Sequence, residues 1–423
     1  MMSIKRLGVG AGYKYLLNST PAHDVPHTND SPNLAPPDCE TGTPPGIFLG
    51  SGLKGLNSGR GVEVGQVVTA KNLQRMMQHC SDPFSGEALG RAPSANGVAC
   101  FDLTFSPSKS ISVAWALGDR DTRRIIYQCH LRAIMTVLVS AEREVFRTRS
   151  RTGLRIEEEI EGVIAASFTR FDSRAGDPQL RDHVLVWNRV QAACDGRWRT
   201  LDSRRLFASS VTLSEMHQGI LSDLLTARLG WNWEPQARRS SSAPKWEVAG
   251  VFTALMEEFS QRTTDIDAAT EPLVHDFEVS RGRVPTNVEV TRLRQRATLE
   301  TRPKRLRRSL SELTADWIAR AIPYVGEAPN AWVLKLGSKA VATSTRNDFT
   351  NGQLHELATT TFEIVSSKRT KLSRSNLEAE VFRQLHSVRF TKPSERLDVA
   401  TRVSKFAIGK AFASAALLRN RPF

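Results

Sequence analysis

The stretch VIAASFTRFDSRAGDPQLRDHVLVWNRVQ, residues 163–191, decides the fold. Val163 to Phe171 and Gln179 to Gln191 are strand-like runs, and the Asp, Ser, Gly and Pro between them favour a wide antiparallel hairpin. In the second run Arg181, His183, Leu185 and Trp187 share one face, and Asp182, Val184 and Val186 share the other.

Upstream, Val98 to Phe105 alternates in the same way. Ala99, Phe101, Leu103 and Phe105 are apolar, while Cys100, Asp102 and Thr104 are small or polar, which predicts a half-buried strand. Ser106 and Pro107 supply an N-cap and an N1 proline for a helix through Ala116, and Asp119 to Arg147 supplies a longer helix. A helix N-terminus beside a polar strand face suits a phosphate, although the same pattern is more often an ordinary strand-to-helix joint.

At the start of the chain, SIKRLGV predicts a short strand and GAGYKYLLN a helical turn bearing Tyr13 and Tyr15. Seven prolines between Ser19 and Gly46 predict an irregular excursion, with structure resuming near Ile47. Glycines 50, 52, 55, 59 and 61 lack a GxGxxG frame and are weak evidence for a phosphate loop. After Trp198 the pattern is mostly helical, over Leu206–Leu229, Val251–Arg262, Ile266–Val279, Asn287–Leu299 and from Leu310 to Leu418.

Composition narrows the function classes. With 423 residues, two or three domains are expected, and 58 Lys+Arg against 44 Asp+Glu give a net charge of +14 that favours a polyanionic partner. The five cysteines are odd in number, scattered and without a CxxC pair, so a reducing, cytoplasmic setting is expected. No signal peptide and no apolar run near 18 residues occur, so membrane insertion is not expected. The sequence contains no GxxxxGK followed by Ser or Thr, and ATP is not implied.

Six blocks in order carry a family resemblance: SIKRL with GYKYL, LGSGLKGL (49–56), DPFSGEALG (82–90), FDLTFSPSKSISV (101–113), FDSRAGDPQLRDHVLVWNRVQ (171–191) and GRWRTLDSRRL (196–206). Together they resemble the relaxase domain of MobF-class conjugative relaxases, the TrwC/TraI type of HUH endonuclease. TRLRQRATLETRP (291–303) and KLSRSNLEAEVFRQLHSVRF (371–390) resemble the helical continuation of actinobacterial-type members.

The resemblance implies an α+β fold: an antiparallel-sheet palm with flanking helices over 1–230, its Pro-rich segment at 19–46. A helical fingers-like region (231–310) and a helical C-terminal extension (311–423) would follow, without a helicase motor. It implies single-stranded DNA or an origin-of-transfer hairpin as partner, alongside other conjugation proteins. A tyrosine would be the nucleophile, Tyr15 by ungapped alignment with Tyr13 as the alternative, and Asp102 would assist it. A divalent metal held by three histidines would polarise the phosphate.

This chain departs from that pattern at the metal. Two of the three histidine positions are Arg170 and Arg181, leaving His183 alone, and a guanidinium has no lone pair for a cation. The leading expectation is therefore a single-stranded DNA binder impaired in metal-dependent nicking. The alternatives are a strand transferase that uses Arg170 and Arg181 as a phosphate clamp, and an accessory or scaffold of the transfer machinery that does not touch DNA. Arg170, Arg181, Arg174, Lys109, Trp187, Arg204 and Arg205 are the candidate DNA contacts, with core packing the favoured role for Trp115, Trp187 and Trp198. The remaining histidines, His130 and His217 among them, are too dispersed in sequence to suggest a substitute metal site.

Overall fold

Segments that alternate apolar with small or polar side chains can bury one face completely, and here they assemble into one antiparallel sheet. The protein is described by a computed structural model over residues 1–10, 12, 44–149, 156–238, 241–303, 308–326, 328–337, 341–369 and 372–419. The strands are β1 (Met2–Gly8), β2 (Ile47–Leu49), β3 (Val98–Phe105), β4 (Ile160–Asp172), β5 (Pro178–Ala192) and β6 (Trp198–Arg199). Their order is β1-β3-β5-β4-β2, with β6 paired to β5. The expected hairpin is present as β4 and β5, joined by a turn in which the Ser173 hydroxyl accepts from the amides of Ala175 and Asp177. Strand β3 has the expected bounds.

Helix α1 (Lys109–Leu117) starts later than expected, with Ser108 rather than Ser106 at the N-cap. The β1–β3 ladder explains the delay, because the Ser106 amide donates to the Met1 carbonyl and stays extended. Helix α2 (Arg120–Glu144) is capped by Asp119, whose Oδ1 accepts from the Thr122 amide at 2.8 Å. It ends before Arg147 because the amides of Val145 and Phe146 both turn back to the Ala141 carbonyl.

Helices α1, α2 and α3 (Ser210–Leu229) cover one face of the sheet, burying Phe101, Leu103, Phe105, Val184 and Val186. Each such side chain contributes about 1.5–3 kcal/mol by leaving water. The opposite face carries a smaller cluster, in which Phe48, Leu53, Leu73, Met76 and Met77 pack on Cys100, Ala166, Leu185 and Trp187. Gly50 and Gly52 permit this second layer. A Cβ on Gly50, at φ +98°, would stand 2.2 Å from the Val163 carbonyl, so the glycines allow close backbone approach to β4 rather than forming a phosphate loop.

A hairpin of β7 (Trp233–Arg238) and β8 (Ser241–Val248) was not expected, since Pro235 and Pro244 weaken any strand reading. It is held from outside itself. Glu247 Oε2 accepts from the amide and hydroxyl of Ser110 at 2.9 and 2.5 Å. The chain continues through α4 (Gln261–Arg281), α5 (Asn287–Glu300), α6 (Leu310–Val325), α7 (Asn351–Lys368), α8 (Arg374–Gln384) and α9 (Pro393–Arg419), as the helical pattern predicted. Helix α6 reaches back to the β4–β5 turn: Trp317 Nε1 donates to the Gly176 carbonyl at 2.7 Å, and Arg320 pairs with Asp177 at 3.1 Å.

The C-terminal helices are locked onto α3 by an ion pair. Fully buried Arg396 meets Asp223 at 2.6 and 2.8 Å and donates to the carbonyls of Leu385 and Val388, while Asp223 also accepts from the Phe390 amide. Removing one partner leaves an uncompensated buried charge. Asp223→Asn should cost about 3–5 kcal/mol in urea unfolding, and an apolar double replacement, Asp223→Leu with Arg396→Met, should cost less than either single change.

A second polar cluster lies beneath the sheet. Asp182, buried on the helical face, accepts from the hydroxyls of Ser167 and Thr169 at 2.8 and 2.7 Å, and His130 Nε2 stands 3.1 Å from its other oxygen. His217 Nε2 is 3.1 Å from His130 Nδ1, and Gln218 Nε2 is 3.3 Å from His217 Nδ1. With its proton on Nε2, His217 donates to His130 Nδ1 and accepts from Gln218 at Nδ1, while His130 Nε2 meets Asp182 as an ion-pair contact only. Burial, then the neighbouring His130, holds His217 well below the usual histidine value. Burial pushes Asp182 up, but His130, Thr169 and Ser167 outweigh it and leave the carboxyl below its usual value.

In the folded state His217 resists a proton that the unfolded chain takes up below about pH 6.5, so stability falls as pH is lowered through that value. Urea midpoints from pH 8 to 5 should decline below about pH 6.5, and His217→Gln, which removes the titrating group, should make the decline shallower.

Candidate functional site

Residues directly opposite each other in an antiparallel ladder point to the same side, so the strand registers define what gathers on the face away from α1 to α3. Ser3 pairs with Thr104, which pairs with His183, which pairs with Phe168. One row over, Lys5 pairs with Asp102. On the other side of His183, Arg170 pairs with Arg181. That single face therefore carries Ser3, Lys5, Asp102, Thr104, Arg170, Arg181 and His183.

Asp102 is buried, and both of its oxygens lie 3.1 Å from His183 Nδ1. Thr104 Oγ1 stands 3.2 Å from the same Nδ1 and donates to Asp102 Oδ1 at 3.2 Å. The imidazole is oriented through Nδ1 by Asp102 and Thr104. Arg170 is 2% exposed, and Arg181 donates to Gln179 Oε1 at 2.9 Å. Lys5 and Ser3, on edge strand β1, are exposed.

This donor set does not fit a three-imidazole metal centre. One imidazole, already held by a carboxylate, is flanked two residues away on its strand by a guanidinium that faces a second one, and two fixed positive charges oppose a dication. Among the described residues no group of three or more His, Cys, Asp or Glu side chains is placed to hold a metal ion.

The remaining expected residues separate. Tyr13 and Tyr15 lie outside the described residues. Lys109 is not presented to a ligand. Its Nζ donates to the Pro178 carbonyl at 2.9 Å, and burial, only partly offset by Asp177 and Glu247, pulls its pKa down to about 8. Trp187, 2% exposed, packs in the smaller cluster with Cys100 and Leu185, in line with the favoured core role rather than stacking on a base. Arg174 lies in the β4–β5 turn, near the Pro303 carbonyl at 3.5 Å. Arg204 and Arg205, on the short helix Ser203–Ala208, pair with Asp202 and Glu157 away from the sheet face. Sequence reading missed Lys5 and Thr104, whose positions follow from pairing register.

A family model described as TrwC relaxase matches residues 9–323. Over 179 residues the chain is 31% identical to the multifunctional conjugation protein TraI of Escherichia coli, a match covering 40% of this chain and 9% of that much longer protein. Two structures of conjugative relaxase TrwC in complex with oriT DNA, one copper-bound and one metal-free, each align with a TM-score of 0.57 at 20% identity, over 76% of this chain and 98% of theirs. TrwC complexed with a 27-mer DNA comprising the recognition hairpin and the cleavage site aligns with a TM-score of 0.56 at 21% identity, over the same shares. The structural likeness establishes the shared α+β fold, and the family match, spanning well over half of the sequence, establishes descent: the chain belongs to the TrwC relaxase family.

Proposed function

We propose that this chain is a single-stranded DNA-binding, relaxase-like protein of conjugative plasmid transfer, that it engages an origin-of-transfer strand or hairpin, and that metal-dependent nicking is impaired in it. The observation that carries this reading is the cross-strand pair Arg170–Arg181 beside His183 on one face of the sheet. Arg181 offers a guanidinium fork to a phosphodiester, Arg170 adds a buried positive charge behind it, and neither has the lone pair a cation needs. Net charge +14 adds a long-range attraction for a polyanion. The four cysteines among the described residues are free, and no described helix is long and apolar enough to cross a membrane, which supports a cytoplasmic setting.

A second reading keeps the chemistry. The Asp102–His183 pair is fully assembled, so an oriented imidazole lies next to the two guanidiniums, an arrangement that serves strand transfer without metal once a nucleophile is supplied. Denaturing gels of the protein incubated with a single-stranded origin oligonucleotide, with and without chelator, separate the two readings. The expected outcome is chelator-insensitive, salt-dependent binding and no covalent adduct. A metal-independent adduct that disappears in Tyr15→Phe would establish the second reading instead. For binding itself, Arg181→Gln should lower affinity and reduce the slope of log affinity against log salt by at most about 0.7, the value of one phosphate contact on a single strand.

A further inference from the structure

Strand β1 is the edge of the sheet, and its register against β3 is continuous from Met2↔Phe105 to Leu7↔Cys100. That register places Lys5 directly across from Asp102, on the same side as Asp102, His183, Arg170 and Arg181. Adjacent strands lie about 4.8 Å apart, and a lysine side chain extends farther than that. Lys5 therefore overlooks the Asp102–His183 pair from the open edge, while Arg181 flanks His183 along β5.

The local charge makes the position informative. Asp102 is buried and already engaged by His183 Nδ1 and the Thr104 hydroxyl, whereas Lys5 is exposed. Lys5 and Arg181 bring positive charge to the surroundings of His183, against the carboxylate of Asp102. An anion seated over His183 would meet the exposed Lys5 ammonium on one side and the Arg181 guanidinium on the other. The edge position also suits a lysine as a solvated strand guard. That bland role makes a different prediction, because a guard has no energetic coupling to Arg181.

We infer that Lys5 is a third member of the phosphate-binding site and that it shares one phosphodiester with Arg181, so that the site takes a DNA phosphate without a divalent cation. This inference rests on the DNA-binding reading above. The test is anisotropy of a labelled single-stranded oligonucleotide in chelator, read as affinity against salt for the full chain and for Lys5→Gln, Lys5→Arg, Arg181→Gln and the double variant Lys5→Gln with Arg181→Gln. Lys5 is exposed, so its replacement leaves the cores untouched.

Lys5→Gln should weaken binding about 3- to 10-fold and lower the salt slope by less than the roughly 0.7 of one phosphate, because Arg181 still neutralises it, and Lys5→Arg should restore most of the affinity. The double variant should lose the slope of one phosphate, not of two, because both cations neutralise the same group. An unchanged Lys5→Gln, or a double variant whose slope falls by about 1.4, overturns the shared site while leaving DNA binding standing. A wild-type chain that does not bind the oligonucleotide at all overturns the DNA-binding reading itself.

Discussion

The register of β4 against β5 is the constraint on which the rest depends. Because side chains alternate with a period of two, a slip of one residue between these strands would move every group to the opposite face. At the observed register Thr169 meets Asp182 and Arg170 meets Arg181, so consecutive residues serve opposite layers. Asp182 looks into the helical core and His183 looks away from it. The two faces of the sheet are thus separated chemically by a single peptide unit.

Each side then secures that register in its own way. Beneath the sheet, one oxygen of Asp182 accepts from Ser167 and Thr169 and the other faces His130 at 3.1 Å, an arrangement available only if β4, β5 and α2 meet in one geometry. A buried carboxylate without these partners would cost several kcal/mol, so the network disfavours alternative pairings as well as stabilising this one. At the end of the hairpin, Trp317 and Arg320 of α6 fix the turn through Gly176 and Asp177. The helices after the sheet therefore bear on the candidate site, since they hold the strand ends that carry Arg170 and Arg181. Farther away, the buried Asp223–Arg396 pair ties α9 to α3, extending the same core to the C-terminal helices.

Much of this was legible residue by residue. The alternation in β3 and β5 fixed which side chains share a strand face, and Asp172–Pro178 marked the turn, because these patterns depend on neighbours close in sequence. The start of α1 was misread because a tertiary hydrogen bond, Ser106 to Met1, competes with the local capping signal. The β7–β8 hairpin escaped notice for a related reason: its stability comes from Glu247 gripping Ser110, some 137 residues away in sequence. Lys109 read as a phosphate ligand by motif, yet the fold turns it onto Pro178.

The sequence by itself determined the family, the alternating strands and the replacement of two histidines by Arg170 and Arg181, since these are properties of residue identity and local spacing. Only the tertiary structure decided that the two arginines are cross-strand partners, that His183 is held by Asp102, that Lys5 lies across from Asp102, and that His130 and His217 join Asp182 beneath the sheet. The physical reason is that pairing register and layer packing join residues many positions apart. Local periodicity says which way a side chain points, but only the assembled sheet says what it points at.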